Sequence, residues 1–260
     1  MRDAVPLIHH AAEAYTTAAD SYVKGRPDYP PEVAAWLHDD VGLGPSGMVV
    51  DLGAGTGKFT PRLVATGAHV IAVEPVQEML ARLSAALPGV QALIGSATAI
   101  PLPDASVDAV ICAQAFHWFA TREALREIHR VLKPGGRLGL IWNMRDASVP
   151  WVAKMDAIVN RHEGDTPRYY TGAWRQAFPF AGFGPLEERH FRQGHTGAPE
   201  DVIVNRVRST SFIAGLPEAE RANVDEQLRA LIAREPTLAG RDVVTVPYET
   251  AAFVSRKQQD

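Results

Sequence analysis

The sequence predicts an α/β fold, a mostly parallel sheet with helices on both faces. Three observations carry this. Short apolar, β-branched runs at residues 48–50, 69–73 and 107–112 read as strands buried on both sides. Amphipathic helical stretches alternate with them, over residues 75–87 with Met79, Leu80, Leu83 and Leu87 inward, and over residues 122–132 with Leu125, Ile128 and Leu132 inward. Directly after the first run, Asp51 is followed by Gly53, Gly55 and Gly57, and a helix can start from Lys58. A strand, a glycine turn and a helix in that order make a nucleotide site. The glycines admit positive φ and the close approach of a ligand, and the helix N-terminus offers free N–H groups.

Composition bounds the rest. The chain has 260 residues, 46% hydrophobic and 22% charged, which suits one large domain or a domain with an insertion. A net charge of −4 without a long basic run gives no support to a nucleic-acid or membrane-surface role. Cys112 is the single cysteine, so no internal disulfide can form, and its apolar neighbours read as a buried thiol in a reducing compartment. The start MRDAVPLIHH lacks the layout of a signal peptide, and no apolar run reaches the roughly 18 residues of a membrane helix. A cytoplasmic protein is expected.

In chain order, residues 9–24 read as one or two short helices, with Tyr15, Tyr22, Arg26 and Tyr29 around a proline-broken stretch. They are expected either to pack as an N-terminal flap or to form a lid. Residues 31–41 read as a helix with Val33, Trp36 and Leu37 on one face. The second strand ends in Glu74, about 20 positions beyond the glycine turn, where a carboxylate suits the two hydroxyls of a ribose. The alternative for Glu74 is a charge at a helix N-terminus. Residues 90–94 form a third strand and lead into Gly95, Ser96, Ala97 and Thr98. The fourth strand delivers Ala113, Gln114, Phe116, His117 and Trp118 to the edge already holding Asp51 and Glu74, the edge at which open α/β sheets bind ligands. Lys133-Pro134-Gly135-Gly136 stops the next helix, and residues 137–142 form a fifth strand. Further on, residues 151–161, 199–213 and 218–235 read as helices, residues 186–193 as a sixth strand and residues 243–255 as a last strand closing the sheet.

The glycine turn admits three chemistries and one bland alternative, a tight turn without a ligand. A phosphate-binding loop would need glycine at Leu52 and a hydroxyl at Phe59. A dinucleotide fingerprint would need glycine at Lys58. The remaining pattern, D-x-G-x-G-x-G, is met in full by Asp51, Gly53, Gly55 and Gly57. Together with VVDLGAGTGKF, Glu74, LPDASVDAV, AFHWF and HRVLKPGGRL, it resembles the class I S-adenosylmethionine (SAM)-dependent methyltransferases of the ubiquinone/menaquinone-biosynthesis type (methyltransferase type 11), in particular the small-molecule branch. The resemblance runs over roughly residues 22–143.

The resemblance implies a Rossmann-like, seven-stranded, mostly parallel sheet with a helical cap, in a single domain. Lid helices would occupy about residues 1–45, the SAM-binding core 46–146, cap helices and the sixth strand 147–240, and the final strand 241–260. It implies SAM as cofactor and S-adenosylhomocysteine as product. They would be held by Tyr22, Arg26, Asp51, Gly53, Ala54, Gly55, Gly57, Glu74, Pro75, Ser96, Ala97, Thr98, Gln114 and Phe116. The family's acidic residue after the third strand is absent, because Ser96 or Ala97 stands there, so the adenine contact falls to the Ser96 hydroxyl or to backbone groups. The acceptor side would be His117, Trp118, Trp142, Asn143, Tyr169 and Tyr170.

Methyl transfer from a sulfonium is an in-line displacement, and the enzyme's main task is alignment. A base is needed only for a protonated nucleophile, and His117 is the candidate. Its alternative role is packing or hydrogen bonding beside the cofactor. His162, His190 and His195 are too scattered to read as metal ligands. A SAM-binding scaffold without turnover and a nicotinamide oxidoreductase are the competing functions.

Overall fold

The computed structural model describes residues 27–258. The expected lid residues Tyr15, Tyr22 and Arg26 lie outside the described residues. Seven strands form one sheet: β1 Met48–Leu52, β2 His69–Glu74, β3 Gln91–Ile94, β4 Val107–Ala113, β5 Leu132–Arg145, β6 Glu187–Gly197 and β7 Val244–Arg256. Their order is β3-β2-β1-β4-β5-β7-β6. The pairs β1–β2, β1–β4, β2–β3 and β4–β5 are parallel. The chain steps outward from β1 to β3, then returns to lay β4 on the other side of β1. The carboxyl ends of β1 and β4 therefore flank the point where strand order reverses, the place where such sheets leave a crevice.

By its internal contacts the chain divides into two compact units. The first comprises Tyr29–Trp142, Pro167–Phe191 and the chain from Thr250 onward. It holds the α/β core. Trp36, Leu37, Val49, Phe59, Leu63, Ile111 and Ile141 form one buried cluster, joined by Ala252 and Val254. Tyr29 belongs to this cluster, edge-on to Phe59 at 4.7 Å between ring centroids. Of the tyrosines read as flap or lid, this one is core.

Two acidic residues of LPDASVDAV fasten the frame. Asp108 accepts the Met48 N–H at 2.8 Å and takes the Lys133 ammonium at 2.9 Å, tying the start of β1 to the start of β5. Asp104 and Glu127 hold Arg130 at 2.6 and 2.7 Å, while Arg130 donates to the carbonyls of Ile100 and Leu102. The helix Arg122–Val131 is capped by Thr121, whose hydroxyl accepts the Ala124 N–H. It stops one residue earlier than the sequence suggests. Strand β5 starts at Leu132, and a register shift opposite Val107 and Ala109 absorbs the residues from Lys133 to Gly136.

The second unit comprises Asn143–Thr166 and Arg192–Glu249, with Asp28. The helices Pro150–Asn160 and Glu218–Arg234 bury Val152, Met155, Val159, Val224 and Leu228 against Val207, Ile213, Val246 and Tyr248. The single helix expected over residues 199–213 is broken into a π-helical turn Glu200–Asn205, Arg206–Arg208 and Ser211–Ala214. Ser209 Oγ donates to the Arg206 carbonyl at 2.7 Å, and Thr210 is extended. Such back-bonding competes with the helix ladder. Among the described residues no helix is long and apolar enough to cross a membrane.

Candidate functional site

The site is built on the glycine turn. Gly53, Gly55 and Gly57 all have positive φ, at 71°, 57° and 85°. They differ in why a side chain is excluded. A Cβ on Gly53 would lie 2.9 Å from Ala115 Cβ, and one on Gly57 2.9 Å from Leu83 Cγ. These two are small so that the turn can pack on its own unit. Among the described residues, a Cβ on Gly55 would meet nothing nearer than Met79 Sδ at 3.9 Å. Gly55 is thus the most open of the three toward the described residues.

Glu74 ends β2 beside this turn and is almost fully buried. Its Oε2 accepts the Gly55 N–H at 2.9 Å and its Oε1 the Val76 N–H at 3.0 Å. One N–H on each oxygen leaves acceptor capacity on both. Burial pushes its carboxyl up from the ordinary value, against the two backbone hydrogen bonds, which pull it down. Asp51, at the end of β1, is 1% exposed and accepts the Thr60 hydroxyl at 2.7 Å. Burial raises its carboxyl to about 7, with the Glu74 charge adding to that and the Thr60 hydrogen bond opposing it. Two neighbouring carboxyls pushed upward by burial at a glycine turn make this the candidate site. Pro75 follows Glu74, and Ala54 donates to the Val73 carbonyl at 3.3 Å, within the same turn.

After β3, Ser96 and Ala99 close a tight turn through reciprocal backbone bonds of 3.3 and 3.1 Å. Ser96 Oγ and Thr98 Oγ1 lie 3.2 Å apart, and Ala97 is buried between them. Gln114, past the end of β4, has φ +55°, which is rare for a residue with a side chain. The backbone is held there by the Gln114 N–H donating to the Ile141 carbonyl at 2.8 Å.

The next residues diverge. Phe116 is fully buried, its ring against Phe119, Trp174 and Phe178, so its side chain is packing material. His117 is half-buried beside Trp118, and its Nδ1 accepts the indole N–H of Trp142 at 2.9 Å. Trp142 is itself 1% exposed, with Tyr169, Trp174 and Phe253 around it at 4.9, 4.8 and 5.8 Å between ring centroids. Arg175 lies over both Trp174 and Phe253 and pairs with Glu188. Tyr170 is half exposed and covered by the Arg168 guanidinium. Asn143 belongs to the second unit, where its side-chain amide donates to the Asp28 carbonyl at 3.2 Å. Sequence reasoning brought together Asp51, the glycines and Glu74. It missed Thr60, whose only signal is a hydroxyl opening the helix that follows the turn. It also missed Trp174, Phe253 and Arg175, which no spacing rule connects to Trp142.

Residues 50–140 match the methyltransferase domain family. An uncharacterized methyltransferase-like protein of Schizosaccharomyces pombe is 41% identical over 247 residues, 95% of this chain and 96% of that protein. The chain belongs to the methyltransferase family. A ubiquinone/menaquinone biosynthesis C-methyltransferase of Rubrivivax gelatinosus is 46% identical over 92 residues, 34% of this chain and 36% of that enzyme. For the fold, a type II methyltransferase structure from Anaeromyxobacter dehalogenans superposes with a TM-score of 0.58. Its identity is 24%, covering 90% of this chain and 97% of that one. This methyltransferase thus has the seven-stranded, Rossmann-like architecture that the family resemblance implies.

Proposed function

We propose that this methyltransferase uses SAM and transfers its methyl group to a small-molecule acceptor. The observation that carries the reading is the pair formed by Glu74 and Gly55. The carboxylate is fixed by one N–H on each oxygen and keeps an acceptor site on both, which suits a vicinal diol. Among the described residues, Gly55 beside it is open where a Cβ would stand, which suits the close approach of a ligand. Residues 46–146 then form the cofactor core, with Asp51, Gly53, Ala54, Gly57 and Pro75 shaping the turn. Ser96, Ala97, Thr98 and Gln114 take the adenine side. The missing acidic residue leaves the Ser96 hydroxyl and backbone groups for that contact.

When bound, SAM supplies an electrophilic methyl on a sulfonium. This chain's residues bind, orient and exclude water. The likeness to the quinone-biosynthesis enzyme covers only about a third of each chain, so that enzyme's acceptor is not carried over to this one. On the acceptor side the reading places His117, Trp118 and Tyr169, while Trp142 is buried and supports His117 through its indole N–H.

Titration calorimetry with SAM and with NAD tests the cofactor. SAM should bind and NAD should not, and the reverse overturns the reading. A screen of small molecules with methyl-labelled SAM tests turnover. Tight SAM binding without any labelled product would favour a scaffold instead.

A further inference from the structure

The ring of Phe119 lies against the glycine turn. A Cβ on Gly53 would be 3.4 Å from its Cε1 and 3.9 Å from its Cζ, so the outer rim of the ring lines the side of the turn on which a Gly53 side chain would begin. Both partners are fixed. The Gly53 N–H donates to the Val73 carbonyl at 2.8 Å. Phe119 closes the short 3-10 turn Phe116–Trp118. Its N–H donates to the Phe116 carbonyl at 3.0 Å, and its carbonyl accepts the Thr121 N–H at 2.7 Å. The buried Phe116 ring meets it edge to face, at 5.7 Å between centroids and 85° between planes. Phe119 itself is half-buried.

The sheet order says which part of SAM would lie there. From the outer edge inward the strands run β3, β2, β1, β4. SAM is linear, with adenine, ribose, sulfonium and the amino-acid end in that order. On the reading above, the adenine contacts follow β3 and the ribose acceptor Glu74 ends β2. The next group along the ligand, the sulfonium, therefore falls beyond β2, at the turn after β1 and the chain after β4. Phe119 stands against Gly53 at that place.

We propose that Phe119 is a contact residue for the SAM sulfonium, and that its ring makes the site prefer the charged donor to the neutral spent product, S-adenosylhomocysteine. This rests on the SAM methyltransferase reading above. An aromatic ring is negative on its faces and attracts a cation placed over one, more strongly where water is excluded. Methyl transfer returns the carbon–sulfur electron pair to sulfur and so removes that charge. The ribose and adenine contacts are unaltered by the loss, whereas the attraction of the ring is gone. The ring thus acts on the donor and not on the product.

Calorimetry of the full chain, titrated separately with SAM and with S-adenosylhomocysteine, tests this. Phe119→Leu keeps most of the bulk and removes the ring face. It should weaken SAM binding about three- to thirtyfold and S-adenosylhomocysteine binding less than about twofold. Mono-, di- and trifluorinated phenylalanines installed at position 119 draw charge out of the ring with little change of shape. Each added fluorine should lower the ratio of donor to product affinity by a further step. A ring that only packs would move both affinities together. Equal weakening of the two ligands in Phe119→Leu, or a ratio that stays flat across the fluorinated series, overturns the proposal and leaves the cofactor reading standing. A wild type that binds neither ligand removes the cofactor reading and this proposal with it.

Discussion

Replacing Asp51 by asparagine should stabilise the protein in a pH-dependent way, and the size follows from the burial of one carboxyl. Asp51 is 1% exposed and its carboxyl is raised to about 7 from an ordinary 3.8, with burial as the largest cause. Between those two values the folded protein holds a proton that the unfolded chain has released. Stability from this group is therefore fully present below about pH 3.8 and declines as the pH rises through about 7. A displacement from 3.8 to about 7, at about 1.4 kcal/mol per pH unit, amounts to about 4 kcal/mol. Asparagine is close to the same shape, stays neutral, and can accept the Thr60 hydroxyl through its carbonyl as Asp51 does at 2.7 Å. The stability of Asp51→Asn relative to the wild type should thus rise between about pH 4 and pH 8, by up to about 4 kcal/mol. Urea unfolding of both proteins at the two pH values measures it. Taking the difference between variant and wild type cancels every other titrating group to first order. A difference that is the same at both pH values would show that Asp51 is ionised in the fold at low pH and that the burial argument is wrong.

Three further outcomes follow from the same geometry. Glu74→Ala removes the proposed diol acceptor and the anchor of two backbone N–H groups, so SAM affinity by calorimetry should fall at least about tenfold, each hydrogen bond to a charged acceptor contributing about 1.5–3 kcal/mol. Unchanged affinity would remove Glu74 from the site. Gly57→Ala should cost about 1–3 kcal/mol and more than Gly55→Ala. Both strain a positive φ, but only the first drives a Cβ into Leu83 at 2.9 Å. Thermal unfolding of the two variants gives the order, and the opposite order refutes the packing assignment. Arg130→Met should cost about 1–3 kcal/mol, since the pair is partly exposed. It should also speed hydrogen exchange at the Ile100 amide, which donates to the Glu127 carboxylate that Arg130 orients. Unaltered exchange there would mean that the loop before β4 holds itself.

The first five strands, their order along the chain and the glycine turn were legible in the sequence because each is encoded locally. A β-branched run buried on both faces, an Asp at its end and alternating glycines need no distant partner to be recognised. Glu74 could be placed for the same reason, as the residue on which the second run stops. The expected helix over residues 199–213 failed on side chains that compete for their own backbone, Ser209 with the Arg206 carbonyl. Only the tertiary structure separated Gly55 from Gly53 and Gly57, since what a Cβ would meet depends on Ala115 and Leu83 from other parts of the chain. It moved Phe116 and Tyr29 into the core and set Asn143 on the Asp28 carbonyl. It also brought the Trp142 indole N–H to His117 Nδ1, 25 residues apart in the chain, with the rings of Tyr169, Trp174 and Phe253 around the indole. A hydrogen bond between a strand residue and one in the short 3-10 turn Phe116–Trp118 beyond the neighbouring strand leaves no periodicity in either one, so the sequence holds the two side chains and only the fold holds the bond.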